Sequence, residues 1–203
     1  MDYIESEGKT EKEATQRALN RIGATEEEVK IEVYDNQPEG GPVKVKVIYD
    51  KKKISMARAK EVLENILAKM DMSGEIQGSE REDALYMNIF SEKKGLLIGR
   101  RGETINALQY IVNRIVNKDV LEKVKIVVDT ENYKERQKNK IQDLARTEAQ
   151  KVKETGQESA LPPMNAEERR IAHIALSDDE EIETQSVGED PYRKVIISLK
   201  KNR

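Results

Sequence analysis

Along the chain, short apolar runs switch repeatedly between a helical and a strand period. Within residues 1–50, Thr10 and Glu13 form a capping box, Ala14, Ala18 and Ile22 recur at helical spacing, and Gly23 supplies a stop. Val29, Ile31 and Val33 then alternate, as do Val43, Val45 and Val47, with Asn36-Gln37-Pro38-Glu39-Gly40-Gly41-Pro42 as the turn between them. The order predicted for this stretch is strand, helix, strand, strand.

Lys51-Lys52-Lys53 marks a junction. After it, residues 55–70 carry Val62, Leu63, Ile66, Leu67 and Met70 on one face of an amphipathic helix. Two strands are predicted next, the second over residues 84–90 with Leu85, Met87 and Ile89 alternating. A brief helical segment over residues 92–98 leads through Gly99-Arg100-Arg101-Gly102 into a helix with Ile105, Leu108, Ile111, Val112 and Ile115 on one side. Residues 124–128 close this unit as a strand, giving helix, strand, strand, helix, helix, strand.

The longest helical pattern covers residues 132–155, with Ile141, Leu144, Ala145, Ala149 and Val152 spaced by three and four before Gly156. A short strand over residues 159–161, a helix over 166–176 and strands over 183–187 and 193–199 complete the pattern. The chain is therefore expected to be α+β and built of three small modules, residues 1–50, 51–130 and 131–203. It shows no internal repeat.

Charge sharpens this division. The sequence of 203 residues holds 36 basic and 39 acidic residues, with both signs dispersed. Residues 1–50 hold 7 basic and 12 acidic residues, residues 51–130 hold 15 and 12, and residues 131–203 hold 14 and 15. The first module should repel phosphate and suits protein contact better, whereas the middle one is the basic part. With no cysteine, disulfide scaffolds, thiolate metal sites and thiol chemistry are excluded, and a lone His173 excludes a multi-histidine metal site. No apolar run approaches the ~18 to 20 residues of a bilayer span, and the first residues lack the features of a signal peptide. A cytoplasmic protein that is not integral to a membrane is expected. Its aromatics, seven tyrosines and Phe90, are too few for a binder of single strands that works chiefly by stacking, so a nucleic-acid grip would come from backbone and cations.

Such a grip is offered by Leu97-Ile98-Gly99-Arg100-Arg101-Gly102-Glu103-Thr104-Ile105. Glycines at 99 and 102 permit a tight turn and a close main-chain approach, and the helix opening after Gly102 points free amides and its positive dipole end at a phosphate. Arg100 and Arg101 add charge at that point. Ile98, Ile105 and Leu108 would wall an apolar groove for bases. The GxGxxG and GxxxxGK[ST] spacings of nucleotide sites are absent. The motif I-G-x-x-G-x-x-I in this order of elements resembles the type II KH fold, whose loop clamps about four nucleotides of single-stranded RNA or DNA.

In the last module, Asn165 and Glu168 form a capping box for a helix on which Ile171, Ile174 and Ala175 share one side, with Arg169 and His173 together on the opposite, solvent side. There they could hold a phosphate, the guanidinium bidentately and the imidazole by a further hydrogen bond. Asp178-Asp179-Glu180-Glu181 lies just beyond and should disfavour phosphate locally. Arg169-x-x-x-His173, followed by the stretch from Glu183 to Val195, resembles the R-three-H domain, a family that binds single-stranded nucleic acid. That resemblance implies Arg169 and His173 as contacts, with Arg170 and Arg193 as neighbours.

A KH unit joined to an R-three-H unit, behind a small acidic module containing Glu7-Gly8-Lys9-Thr10, resembles the bacterial Jag family, also called KhpB or SpoIIIJ-associated. The first module departs from the family at Pro38-Glu39-Gly40-Gly41-Pro42, where a Gly-Leu-Phe-Gly-like loop is usual. The resemblance implies a non-enzymatic regulator that binds single-stranded RNA and is linked to cell elongation, division or sporulation. It implies no cofactor, and as protein partners a small KH-only protein or a second copy of the chain. A scaffold factor docked to a membrane insertase through the acidic module is the alternative. A metal-dependent nuclease built on Asp178, Asp179, Glu180 and Glu181 is a remote third, because consecutive carboxylates on a turn point in different directions.

Overall fold

The computed structural model describes residues 1–35, 41–81, 83–118, 120 and 122–200. It is α+β, with three three-stranded sheets among the described residues. The chain divides into two compact units, Met1–Glu131 and Asn132–Arg203.

The first unit opens with strand β1 (Asp2–Gly8), helix α1 (Glu11–Ile22), strand β2 (Val29–Asp35) and strand β3 (Val43–Tyr49), with the sheet ordered β1-β3-β2 and antiparallel throughout. Thr10 Oγ1 accepts from the Glu13 amide at 3.2 Å, and Gly23 closes the helix at φ 67°. Ile4, Val43, Val45 and Val47 point to one face and pack on Ala14, Ala18, Leu19 and Ile22. Most of the turn proposed at residues 36–42 lies outside the described residues.

Helix α2 (Lys51–Lys69) starts four residues earlier than the apolar pattern indicated. Lys51, Lys52 and Lys53 form its first turn, a position the helix dipole disfavours for cations. Asp50 overrides that penalty: its carboxylate accepts from the Lys53 amide at 3.0 Å. Strands β4 (Glu75–Arg81) and β5 (Ala84–Phe90) pair antiparallel, and β6 (Lys125–Asp129) joins β5 in parallel. Between β5 and β6 run a short helix α3 (Lys94–Ile98) and helix α4 (Glu103–Val116). Helices α2 and α4 pack together against the sheet, burying Leu63, Leu67, Leu85, Met87, Ile89, Leu108, Val112 and Ile126.

Two residues of the apolar side read from the sequence lie outside this core: Ile111 is 42% exposed and Ile115 40%. The buried stripe of α4 is narrower, Ile105, Leu108, Val112 and Val116, because the flank beside it is committed to polar work. Gln109, Asn113 and Asn117, one turn apart, lie along the outer edge of β6. Gln109 Oε1 accepts from the Val128 amide at 3.1 Å. Asn113 accepts from the Ile126 amide at 3.0 Å and donates to the Ile126 carbonyl at 2.6 Å. Asn117 does the same at Val124, at 2.7 and 2.9 Å. Three side chains thus imitate a missing strand, and Ile111 and Ile115 fall on the opposite flank.

The second unit consists of helix α5 (Tyr133–Thr155), strand β7 (Ser159–Ala160), helix α6 (Ala166–Ala175), and strands β8 (Ile182–Val187) and β9 (Lys194–Leu199). Its sheet runs β7-β9-β8, antiparallel. Ile141, Ala145, Ala149 and Val152 of α5 meet Leu161, Ala172, Leu176, Ile182, Val195 and Ile197 in one core. Lys153 bridges Asp179 at 2.9 Å and Glu181 at 3.2 Å, so part of the acidic cluster ties the end of α5 to the start of β8.

Candidate nucleic-acid interface

The Gly-x-x-Gly turn stands between α3 and α4. Gly99 has φ 72° and ψ −173°, a region that only glycine occupies readily, and its amide donates to the Gly95 carbonyl at 3.0 Å. Arg100–Gly102 form a 3₁₀ turn in which Arg101 itself is left-handed (φ 52°, ψ 32°), and Gly102 follows at φ 77° as the N-cap of α4. No side chain caps α4, so its positive end is left open to solvent-borne anions. Arg100 and Arg101 are exposed, and neither forms an ion pair among the described residues. The turn is held from behind by Lys94, whose ammonium meets Glu131 at 2.8 Å, and by Lys93, which donates to the Asp71 carbonyl at 3.1 Å.

The apolar part of the expected groove is different. Ile105 is fully buried and Leu108 is 3% exposed, so both support the turn from the core and offer no outward wall. Ile98 is half-buried. The exposed apolar group near the turn is Leu96, at 65%, which the sequence pattern did not single out.

In the second unit, the capping box of α6 is formed as expected: the Glu168 amide donates to Asn165 Oδ1 at 2.9 Å and the Asn165 amide to Glu168 Oε2 at 3.0 Å. Glu168 also accepts from Gln137 of α5 at 2.9 Å. These bonds hold the helix in an orientation other than the expected one. Its buried face carries Glu168, Arg169 and Ala172, while Ile174 is 57% exposed. Arg169 is therefore not on the solvent side; only 7% of it is exposed. Two of its donors are met within the protein, Nη1 donating to the Met164 carbonyl at 2.7 Å and to Asp190 Oδ1 at 3.1 Å.

His173 lies half-buried on the same face, Nδ1 2.6 Å from Thr184 Oγ1. Burial, and then the charge of Arg169, lower its pKa below the usual imidazole value. At neutral pH it thus brings hydrogen-bonding capacity and no charge. Arg170 is exposed on the outer side of α6. Arg193, at the far side of the loop between β8 and β9, donates from Nε to Ser186 Oγ at 3.1 Å. Sequence reasoning missed Asp190 and Thr184, the partners that fix Arg169 and His173, since neither stands at a helical interval from them. It also missed Tyr192, 77% exposed beside Arg193.

Among the described residues, no group of three histidine, aspartate or glutamate side chains is placed to hold a metal ion. Nor is any helix among them long and apolar enough to cross a membrane.

Comparison with known proteins agrees with both halves of this picture. Residues 57–128 match the KH domain of KhpA/KhpB, and residues 139–199 match the R-three-H domain. RNA-binding protein KhpB of Clostridium symbiosum is 37% identical over 207 residues, covering 99% of this chain and 93% of that protein. RNA-binding protein KhpB of Bacillus subtilis is 30% identical over 210 residues, covering 99% of this chain and all of its counterpart. A turn of Gly-x-x-Gly form ahead of α4, an Arg-and-His helix in the second unit, and likeness along the whole length place the chain in the KhpB family.

Proposed function

We propose that this protein is a non-enzymatic regulator in the cytosol that binds single-stranded RNA, gripping the sugar-phosphate backbone at Gly99-Arg100-Arg101-Gly102. The observation that carries the reading is the exposure of two guanidinium groups, unpaired among the described residues, at an uncapped helix N-terminus, behind a turn that glycine alone can make. The names of the relatives, RNA-binding proteins, support it. A second contact is assigned to the last module through Arg170, Arg193 and the helix that carries Arg169 and His173. Two weak contacts on one chain raise affinity through effective concentration when both engage one strand. The functional division proposed is residues 1–50, 51–130 and 131–203, the first serving protein contact. Control of cell elongation, division or sporulation is the proposed cellular role.

The reading is tested by titrating single-stranded RNA with the full chain and with an Arg100→Glu, Arg101→Glu double variant. Both side chains are exposed, so the thermal transition should not move. Affinity should fall at least ~10-fold, and log K for the native protein should fall with log[salt] at a slope of about −2 to −4, near −0.7 per phosphate neutralised. Equal affinity of the two proteins would remove the clamp from the interface.

A protein-contact reading is favoured by one observation. Ile111 and Ile115 sit four apart on the outer flank of α4 beside the exposed Tyr110, an apolar patch suited to a small KH-only partner or a second copy. Ile115→Lys should abolish that association and leave RNA affinity unchanged, as read by analytical ultracentrifugation and RNA titration.

A further inference from the structure

We infer that Tyr192 is a stacking platform for a nucleobase, set beside the phosphate contacts of the last module; the inference rests on the RNA-binding role proposed above. Tyr192 is 77% exposed, more than any other tyrosine among the described residues. Its ring has no partner among them, whereas Lys46 Nζ lies over the Tyr3 ring, 4.2 Å from its centre, and the Arg81 guanidinium over that of Tyr86 at 4.9 Å. The main chain of Tyr192, by contrast, is tied down on both sides. Its amide donates to the Glu189 carbonyl at 2.9 Å, and the carbonyl of the next residue, Arg193, accepts from the Met164 amide at 2.9 Å. Arg193 Nε donates to Ser186 Oγ of β8 at 3.1 Å, and Asp190 accepts from Arg169 of α6 at 3.1 Å. A ring that adds nothing to the core is thus held out from an ordered turn, which has little freedom left to lose when a planar ligand lands on it.

The surroundings specify that ligand. Asp190, two residues before Tyr192, touches Arg169, and Arg193 follows Tyr192 directly. Arg169 spends only Nη1 inside the protein, so its Nε and Nη2 stay open to a ligand, as does Nε2 of His173, whose Nδ1 faces Thr184. Two residues of chain span at most about 7 Å, so the ring stands about one nucleotide away from those donors. Open cationic donors beside an aromatic face suit a nucleotide, which brings an anion and a planar base together. The sequence holds too few aromatics for a binder that works chiefly by stacking, yet one ring placed next to the phosphate contacts adds a grip on the base that they lack.

The experiment separates base from backbone. Two probes are titrated against the full chain, native and variant, over a series of salt concentrations: an oligoadenylate of about ten nucleotides, within the span such proteins cover, and an oligomer of the same length and charge whose riboses lack bases. Tyr192→Ala should weaken binding of the oligoadenylate about tenfold with the salt slope unchanged, in keeping with the loss of one stacked base and no phosphate contact. Binding of the abasic oligomer should not change. Tyr192→Phe, which keeps the ring, should bind the oligoadenylate within about twofold of the native chain. Native affinity in Tyr192→Ala, an equal loss for both oligomers, or a Tyr192→Phe variant as weak as Tyr192→Ala overturns the inference. If the native chain binds neither oligomer, the proposed function fails and adenosine monophosphate decides the platform. Upfield shifts of the Tyr192 ring protons in nuclear magnetic resonance spectra then uphold it, and unmoved signals overturn it.

Discussion

Thr104 sets its hydroxyl where a side chain on Gly99 would have to stand, with the Thr104 amide nitrogen a further 3.0 Å from that position. A Cβ at 99 would also demand backbone angles that L-residues avoid. Gly99→Ala should therefore cost at least ~2 kcal/mol, from strain and overlap together. Gly95 is the control, because a Cβ there meets nothing within 4 Å. Gly95→Ala, inside α3, should stabilise by roughly 0.5–1 kcal/mol. Urea unfolding of the two variants checks both signs.

Arg101 holds a left-handed conformation without being glycine, and asparagine accepts that conformation more readily than most residues. Arg101→Asn should keep the fold as stable as the native protein, within about 0.5 kcal/mol, and make the salt dependence of RNA binding shallower by about 0.7. Arg101→Val, which is β-branched, should instead destabilise by ~1 kcal/mol or more. Thermal melts and RNA titration of both variants separate strain from charge.

Asn113 serves the amide and the carbonyl of Ile126 together. Asn113→Ala leaves both without their partner, and a loss of about 2–4 kcal/mol is expected. Asn113→Asp retains an acceptor for the amide but no donor for the carbonyl. It should fall between the native protein and the alanine variant in denaturant midpoint.

His173 has its pKa lowered in the folded protein, first by burial and then by Arg169. The unfolded chain therefore takes up a proton on this residue before the folded one does. Its contribution to stability is complete above the ordinary imidazole value of about 6.5 and is lost as pH falls from there through the folded value. Melts of the native protein should show a decline beginning near that pH, above the range in which carboxylates titrate. His173→Gln should remove this first decline and keep the later, acidic one.

Much of this was written in the sequence because the periodicities are local. Alternating valines, the Thr10 and Asn165 caps and the two glycines at 99 and 102 need no distant partner to be recognised. What escaped depends on contacts between segments. The start of α2 is an exception: Lys51 to Lys53 read as a junction although their capping carboxylate, Asp50, stands next to them and is a local signal. Ile111 and Ile115 read as one apolar side with Ile105, Leu108 and Val112 because hydropathy cannot tell that Gln109, Asn113 and Asn117 claim the flank of α4 next to the sheet. Arg169 read as surface because its charge is met by Asp190, twenty-one residues later. The signal for the α4 stripe was nonetheless present: two asparagines, poor helix formers, follow a glutamine at intervals of four, and their regular placement asks for a reason.

That stripe has a wider consequence. A sheet normally offers a neighbour two rims to copy, and rims of bare amides and carbonyls are where stray chains join and fibres begin. By spending three polar side chains on the main chain of β6, the protein has retired one of the rims of its middle sheet. Any recruitment of a foreign strand there is confined to the side of β4, so a crowded cell has a single approach to this sheet left to guard.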